Sequence, residues 1–247
     1  MKCSLRPFIS GIVVVALVIV FGANGASASI IQFQGGDAGA NSTDPRPVSN
    51  ATAASFDAAA GALGAINLIT FESAPVGSFS SLVVAPGVTL TGTNLFGNPQ
   101  SIRNTPMGTP DSLFGYDTTS GGRNFAALIG GTLTFTFATP IDAFGGYISG
   151  LQLSGETISF NDGSSQTIDL LNLGSAGGVQ FAGFTDAGRL ISSITLNATV
   201  GLAGDDIGVD DVRYVASSAT TVPEPTSLVL LGTGLVGMVL FRGRRKI

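Results

Sequence analysis

The densest group of chemistry-bearing side chains is Asp205-Asp206 and Asp210-Asp211, four carboxylates within a short stretch, with Glu72 as a fifth on an early apolar run. Carboxylate oxygens gathered from several strands are the donor set of calcium, a hard cation that prefers oxygen ligands. Glu72, Asp210 and Asp211, with Asp205 and Asp206 beside them, are therefore candidate ligands of a structural calcium ion. In a regular strand Asp210 and Asp211 would point to opposite faces, so both could serve one ion only at a strand edge or a turn. The competing reading is a solvated turn with an inward aspartate that accepts backbone N–H bonds.

A second group, Tyr116-Asp117 and Arg123-Asn124, follows Phe114. A ring with a polar tip, a guanidinium and an amide could form the rim of a carbohydrate site, and Tyr116, Arg123 and Asn124 are its candidate residues. Without tryptophan, only Tyr116, Tyr147 and Tyr214 offer such a ring, and the 16 phenylalanines are expected in the core. A third group is Thr89-x-Thr91-x-Thr93 and Thr132-x-Thr134-x-Thr136. These would set rows of threonine on a strand face, as ice or surface binding requires, although threonine also suits any exposed strand.

Composition removes most other chemistry. The chain has no histidine, its single cysteine is Cys3, and its only lysines are Lys2 and Lys246. Between the ends, nucleophile–base pairs, zinc sites, Schiff bases and thiol redox chemistry have no side chains to use. Glycoside hydrolysis needs only two carboxyl groups, but the interior holds just Glu72 and Glu156 and no strand of clustered acids. A non-enzymatic protein is expected. The interior keeps all but one of the 16 acidic residues, and its basic residues are Arg46, Arg103, Arg123, Arg189 and Arg213. That balance excludes nucleic acid as a partner, because phosphate binding needs a basic face.

The ends are addresses. Lys2 and Arg6 precede the apolar run Ile12 to Phe21, and Ala26-Ser27-Ala28 offers a cleavage site, so residues 1–28 read as a secretory signal peptide. Cys3 leaves with it, and the mature chain must rely on a packed core instead of disulfides. At the other end Pro223-Glu224-Pro225 precedes the apolar run Leu228 to Phe241 and the cluster Arg242, Arg244, Arg245 and Lys246. As a helix that run is about 21 Å long, short for a bilayer unless neighbouring residues join it and the arginines snorkel. The basic cluster would stay in the cytoplasm and hold the interior outside. Gly232-Thr233-Gly234-Leu235-Val236-Gly237 spells a dinucleotide-binding pattern, but no βαβ unit can follow it and the match is accidental.

The tail, with its Pro-Glu-Pro triplet, short hydrophobic helix and terminal arginine cluster, closely resembles the PEP-CTERM sorting signal of Gram-negative bacteria. The resemblance implies an exosortase as processing enzyme, with Pro223, Glu224 and Pro225 as recognition residues of its substrate. It also implies an inner-membrane-anchored precursor with its domain in the periplasm, then release to the outer surface or extracellular matrix. The partners expected are the secretion machinery and signal peptidase from the leader, an exosortase and the membrane before processing from the tail, and exopolysaccharide from the acidic interior poor in catalytic side chains. Residues from about Ala53 to Val215 are similar to a β-sandwich type often attached to this tail, through Thr70-Phe71-Glu72, Asn124 to Leu128, Phe135-Thr136-Phe137, Ala143-Phe144-Gly145, Gly183 to Asp186 and Gly208 to Val212. Comparable tails also occur on some ice-binding proteins.

Four segments must position these groups: the signal peptide, a polar leader with a short helix at 29–64, a domain at 65–217, and the tail at 218–247. In the leader, Ser49 or Asn50 could cap a helix with Ala53, Phe56, Ala60 and Leu63 on one face. From Ile66 onward short alternating runs recur at Val88–Thr93, Thr132–Phe137, Ile141–Ile148, Val179–Phe184, Ile191–Asn197 and Ile207–Val215. Glu156–Phe160 and Gln166–Leu170 flank an Asp-Gly hairpin turn. Such strands with no crossover helices predict an all-β, jelly-roll-like antiparallel β-sandwich with one short N-terminal helix.

Overall fold

The computed structural model describes residues 29–200 and 203–218. The signal peptide and the C-terminal membrane helix of the sequence reading lie outside the described residues, within which no helix is long and apolar enough to cross a membrane. Strand β1 (Ile31–Ala38) comes first, then helix α1 (Pro47–Gly61) and strands β2 (Ile66–Ile69), β3 (Gly77–Phe79), β4 (Ser81–Ala85), β5 (Val88–Thr93), β6 (Gln100–Arg103) and β7 (Phe125–Ile129). The long strand β8 (Thr132–Ser149) follows, then β9 (Thr157–Asn161), β10 (Ser165–Asp169), β11 (Gly178–Thr185) and β12 (Ile191–Asn197). A small pair, β13 (Thr199–Val200) and β14 (Ala203–Gly204), leads into β15 (Asp206–Ala216).

The antiparallel sandwich expected from the sequence is formed by one sheet that turns over on itself through β8. The first half of β8 pairs with β5 and β12, and the second half with β11 and β15. The two runs expected as separate strands, 132–137 and 141–148, are thus one strand that changes layers at Thr139-Pro140. Proline has no N–H to give a ladder, so it fits where one set of partners ends and another begins. One layer runs β4, β5, β8, β12, β9, β10. The other runs β1, β11, β8, β15, with β2 and β7 sharing the far edge of β15 and β6 and β3 beyond β7.

Rings from the two layers meet inside. Phe160 of β9 stacks on Phe184 of β11 at 4.0 Å between centroids, and Phe137 lies 5.2 Å from Tyr214. Leu90, Leu133, Phe135, Phe144 and Ile194 are fully enclosed around them. β11 is buried along both faces, because Ala182 and Phe184 face this core while Val179 and Phe181 face α1. The helix covers the outer side of the second layer through Ala53, Phe56 and Ala60, with Phe56 and Phe181 5.3 Å apart.

The segment from Ser29 to Asn50 departs from its expected role as a loosely ordered leader. Residues 31–38 form β1, paired along their whole length with β11. The glycines that suggested disorder are close-packing positions, since a Cβ at Gly35 would collide with Thr52 of α1 and one at Gly36 would sit 2.8 Å from Leu173. Capping differs too. The helix begins with Pro47, and its leading N–H groups at Val48 and Ser49 donate to Asp37 of β1 at 3.0 and 2.8 Å, so a strand side chain does the work expected of Ser49 or Asn50.

Candidate functional site

β15 carries Asp210 and Asp211 past the loop between β6 and β7. The pairing of β15 with β8 slips between Asp210 and Arg213, and Asp211 takes a left-handed φ of 47°. Aspartate tolerates that region better than most residues, and the bulge removes the strict alternation that would have sent the two carboxylates to opposite faces. Both reach Thr119. Asp210 Oδ2 accepts from Thr119 N at 3.0 Å and its hydroxyl at 3.2 Å, and Asp211 Oδ1 accepts from the same hydroxyl at 2.9 Å.

Asp210 is fully buried and saturated with donors. Its Oδ2 also takes Thr118 N at 2.7 Å and Thr118 Oγ1 at 3.1 Å, and its Oδ1 takes Asp211 N at 2.7 Å. Asp117 comes into carboxyl–carboxyl contact with it. Burial, and then the charge of Asp211, pushes Asp210 above the ordinary carboxylate range, and burial likewise raises Asp117. The two carboxyls are therefore coupled, each raised by burial and by the acids around it.

Glu72 closes the far side of the same loop. Its Oε1 accepts from Arg123 N and Asn124 N, both at 2.9 Å, and the Asn124 amide reaches back to the carbonyls of Phe71, Glu72 and Ala74. Asp205 lies elsewhere. It is buried, accepts from Gln152 N at 2.7 Å, Leu153 N at 3.2 Å and Asp206 N at 3.0 Å, and faces Glu156. Burial, then Asp205, raises the neighbouring Asp206. Among the described residues no group of three or more acidic, His or Cys side chains is disposed to hold a metal ion. The five residues expected to ligate calcium thus divide between two places, and Asp210 and Asp205 spend their lone pairs on backbone donors.

The carbohydrate candidates also divide. Tyr116 is completely buried, its hydroxyl donates to Ala40 O at 2.8 Å, and its ring packs in the α1 cluster, so it offers no stacking platform. Asn124 is structural. Tyr116 and Arg123, but not Asn124, border one recess of about 470 Å³, which Arg46, Asn104, Asp117 and Ser120 also line. Arg46, counted in the sequence only as one of the interior basic residues and not as a site candidate, donates to Thr118 O at 2.9 Å and sits 5.5 Å over the Tyr147 ring. Only its isolation in a proline-flanked polar stretch could have drawn attention to it. The recess can hydrogen-bond a polar ligand through two guanidinium groups and an amide. Its acidic lining residues are Asp44 and Asp117, while Asp210 does not reach it.

Residues 221–246 match the PEP-CTERM protein-sorting motif. The chain is accordingly an exported protein sorted to the cell surface, with an exosortase as its processing partner. No curated protein matches it at a significant level. Among solved structures it is similar to the catalytic domain of a GH87 alpha-1,3-glucanase in complex with nigerose, at 14% identity and a TM-score of 0.31. The likeness covers 65% of this chain and 30% of the glucanase chain and bears on neither an active site nor a substrate.

Proposed function

We propose that this is a non-enzymatic protein of the cell surface or extracellular matrix, associated with exopolysaccharide. One observation carries the reading: the carboxylates that could have served acid–base chemistry or a metal, Asp210 and Asp205, are consumed as acceptors for their own backbone. A sorting tail on such a domain suits a component that is delivered and retained, where a catalyst would keep an acid and a base apart and free. The carbohydrate-module alternative would have to do without stacking on the Tyr116 ring, which is buried. Incubating the mature protein with exopolysaccharide and following new reducing ends tests the non-catalytic reading, which expects none above the background of a boiled sample. Steady release of reducing ends would overturn it.

A further inference from the structure

The outer face of the layer formed by β4, β5, β8, β12, β9 and β10 carries a continuous hydroxyl row. Strand register places Ser81 beside Thr91, Thr91 beside Thr134, Thr134 beside Thr195, Thr195 beside Ser159, and Ser159 beside Thr167. Flanking rows set Thr89 beside Thr136 and Ser193 on one side, and Thr93 beside Thr132, Asn197 and Thr157 on the other. The two triplets seen in the sequence are therefore neighbours in register, and β12 and β9 extend them. Rows repeat at about 4.8 Å across the strands and about 6.8 Å along them. The opposite side of the same strands is the sandwich core, which fixes the orientation of every hydroxyl.

Three features make this more than a solvated sheet. The face bears no cation, and its acid, Asp169, is at the end of a row on β10. A cleft of about 330 Å³ opens on it between Thr91, Thr93, Thr132 and Thr134, with Gly97 and Pro99 as a wall. At the tip of the loop that supplies this wall, Phe96 is 80% exposed. An uncharged field of hydroxyls and methyls beside a bare ring matches a sugar polymer, whose hydroxyls pair with the first and whose C–H faces stack on the second. Acidic polymers gain no partner here and are repelled by the acidic domain around it. The cleft and the protruding ring fit a flexible chain better than a flat crystal plane such as ice.

We infer that this face binds a neutral polysaccharide chain through Thr91, Thr134 and Thr195 with Phe96 at its rim. The inference rests on the exopolysaccharide reading and names the surface and ligand class behind it. The test uses the mature protein purified from producing cells and their exopolysaccharide, split on an anion exchanger into neutral and acidic fractions. The expected result is binding to the neutral fraction, weakened about tenfold both by Phe96→Ala and by the triple change Thr91→Val, Thr134→Val, Thr195→Val. Valine keeps the strand shape, and an unchanged thermal midpoint confirms that the fold is intact.

Wild-type binding that survives both variants but is lost in Arg123→Ala would overturn the face and leave the exopolysaccharide reading standing. Preference for the acidic fraction would also overturn it. Binding to neither fraction would remove the exopolysaccharide reading itself, and inhibition of ice recrystallisation in that case would give the face to ice.

Discussion

Glu156 and Asp205 face one another as two buried carboxyl groups with unequal surroundings. Asp205 accepts three main-chain N–H groups, whereas both oxygens of the fully enclosed Glu156 lack any donor. Without such donors, the charged form of Glu156 is the costly one. Burial, and secondarily Asp205, raises the Glu156 carboxyl above its ordinary range.

That pair sets a pH dependence. A carboxyl with a raised folded pKa contributes fully below its unfolded value, and the contribution is lost as pH rises through the folded value. Glu156→Gln supplies a permanent N–H donor and should raise unfolding stability at pH 8 by about 1 kcal/mol, with little change at pH 4. Urea unfolding at the two pH values measures the difference. An equal effect at both would contradict the raised Glu156 carboxyl.

A second acid pair gives a numbered window. Asp186, 1% exposed, is pushed up to about 6 by burial and by Asp162, with Arg189 Nε 4.0 Å away as partial compensation. Asp162 is held down at about 2, chiefly by the Ser164 hydroxyl. Asp186 therefore costs stability as pH rises from about 4 to 6, and Asp162 costs stability as pH falls from about 4 towards 2. Asp186→Asn should flatten the upper limb alone, which thermal midpoints between pH 3 and 7.5 would show.

At Asp210 the expected effect is structural and metal-independent. Asp210→Ala strands the buried N–H groups of Thr118 and Thr119 and should cost about 3 kcal/mol, while Asp211→Asn costs under about 1 kcal/mol. Adding calcium and then excess chelator to metal-free protein should leave the wild-type midpoint unchanged. A rise with calcium that is lost in Asp210→Asn would restore the ion suggested by the acidic sequence.

How much the sequence revealed depended on whether a residue's role was local. Alternation marked β5, β12 and β15, and Asp162-Gly163 marked the hairpin, because those signals need only neighbours in the chain. β1 was hidden because its glycines serve Thr52 and Leu173, contacts that exist only after folding. The same is true of Asp37 as a helix cap. At the candidate site, the acidic stretch was legible as a cluster, but its use was not. The bulge at Asp210 and the donors from Thr118 and Thr119, some ninety residues away in sequence, turned a ligand set into a braced loop.

Sorting makes its own prediction. Export with cleavage after Ala28 and processing near Pro223-Glu224-Pro225 would leave a mature chain without Cys3 and without the basic cluster Arg242 to Lys246. Intact-mass analysis of surface material should find that species, and deletion of the exosortase should replace it with one that retains the tail.

The most direct measurement of the central claim is co-sedimentation of the mature protein with purified exopolysaccharide. The account predicts that the protein pellets with the polymer, saturably, and leaves its length distribution unchanged. Protein that stays in the supernatant at every polymer concentration, or polymer that shortens during the incubation, would contradict it.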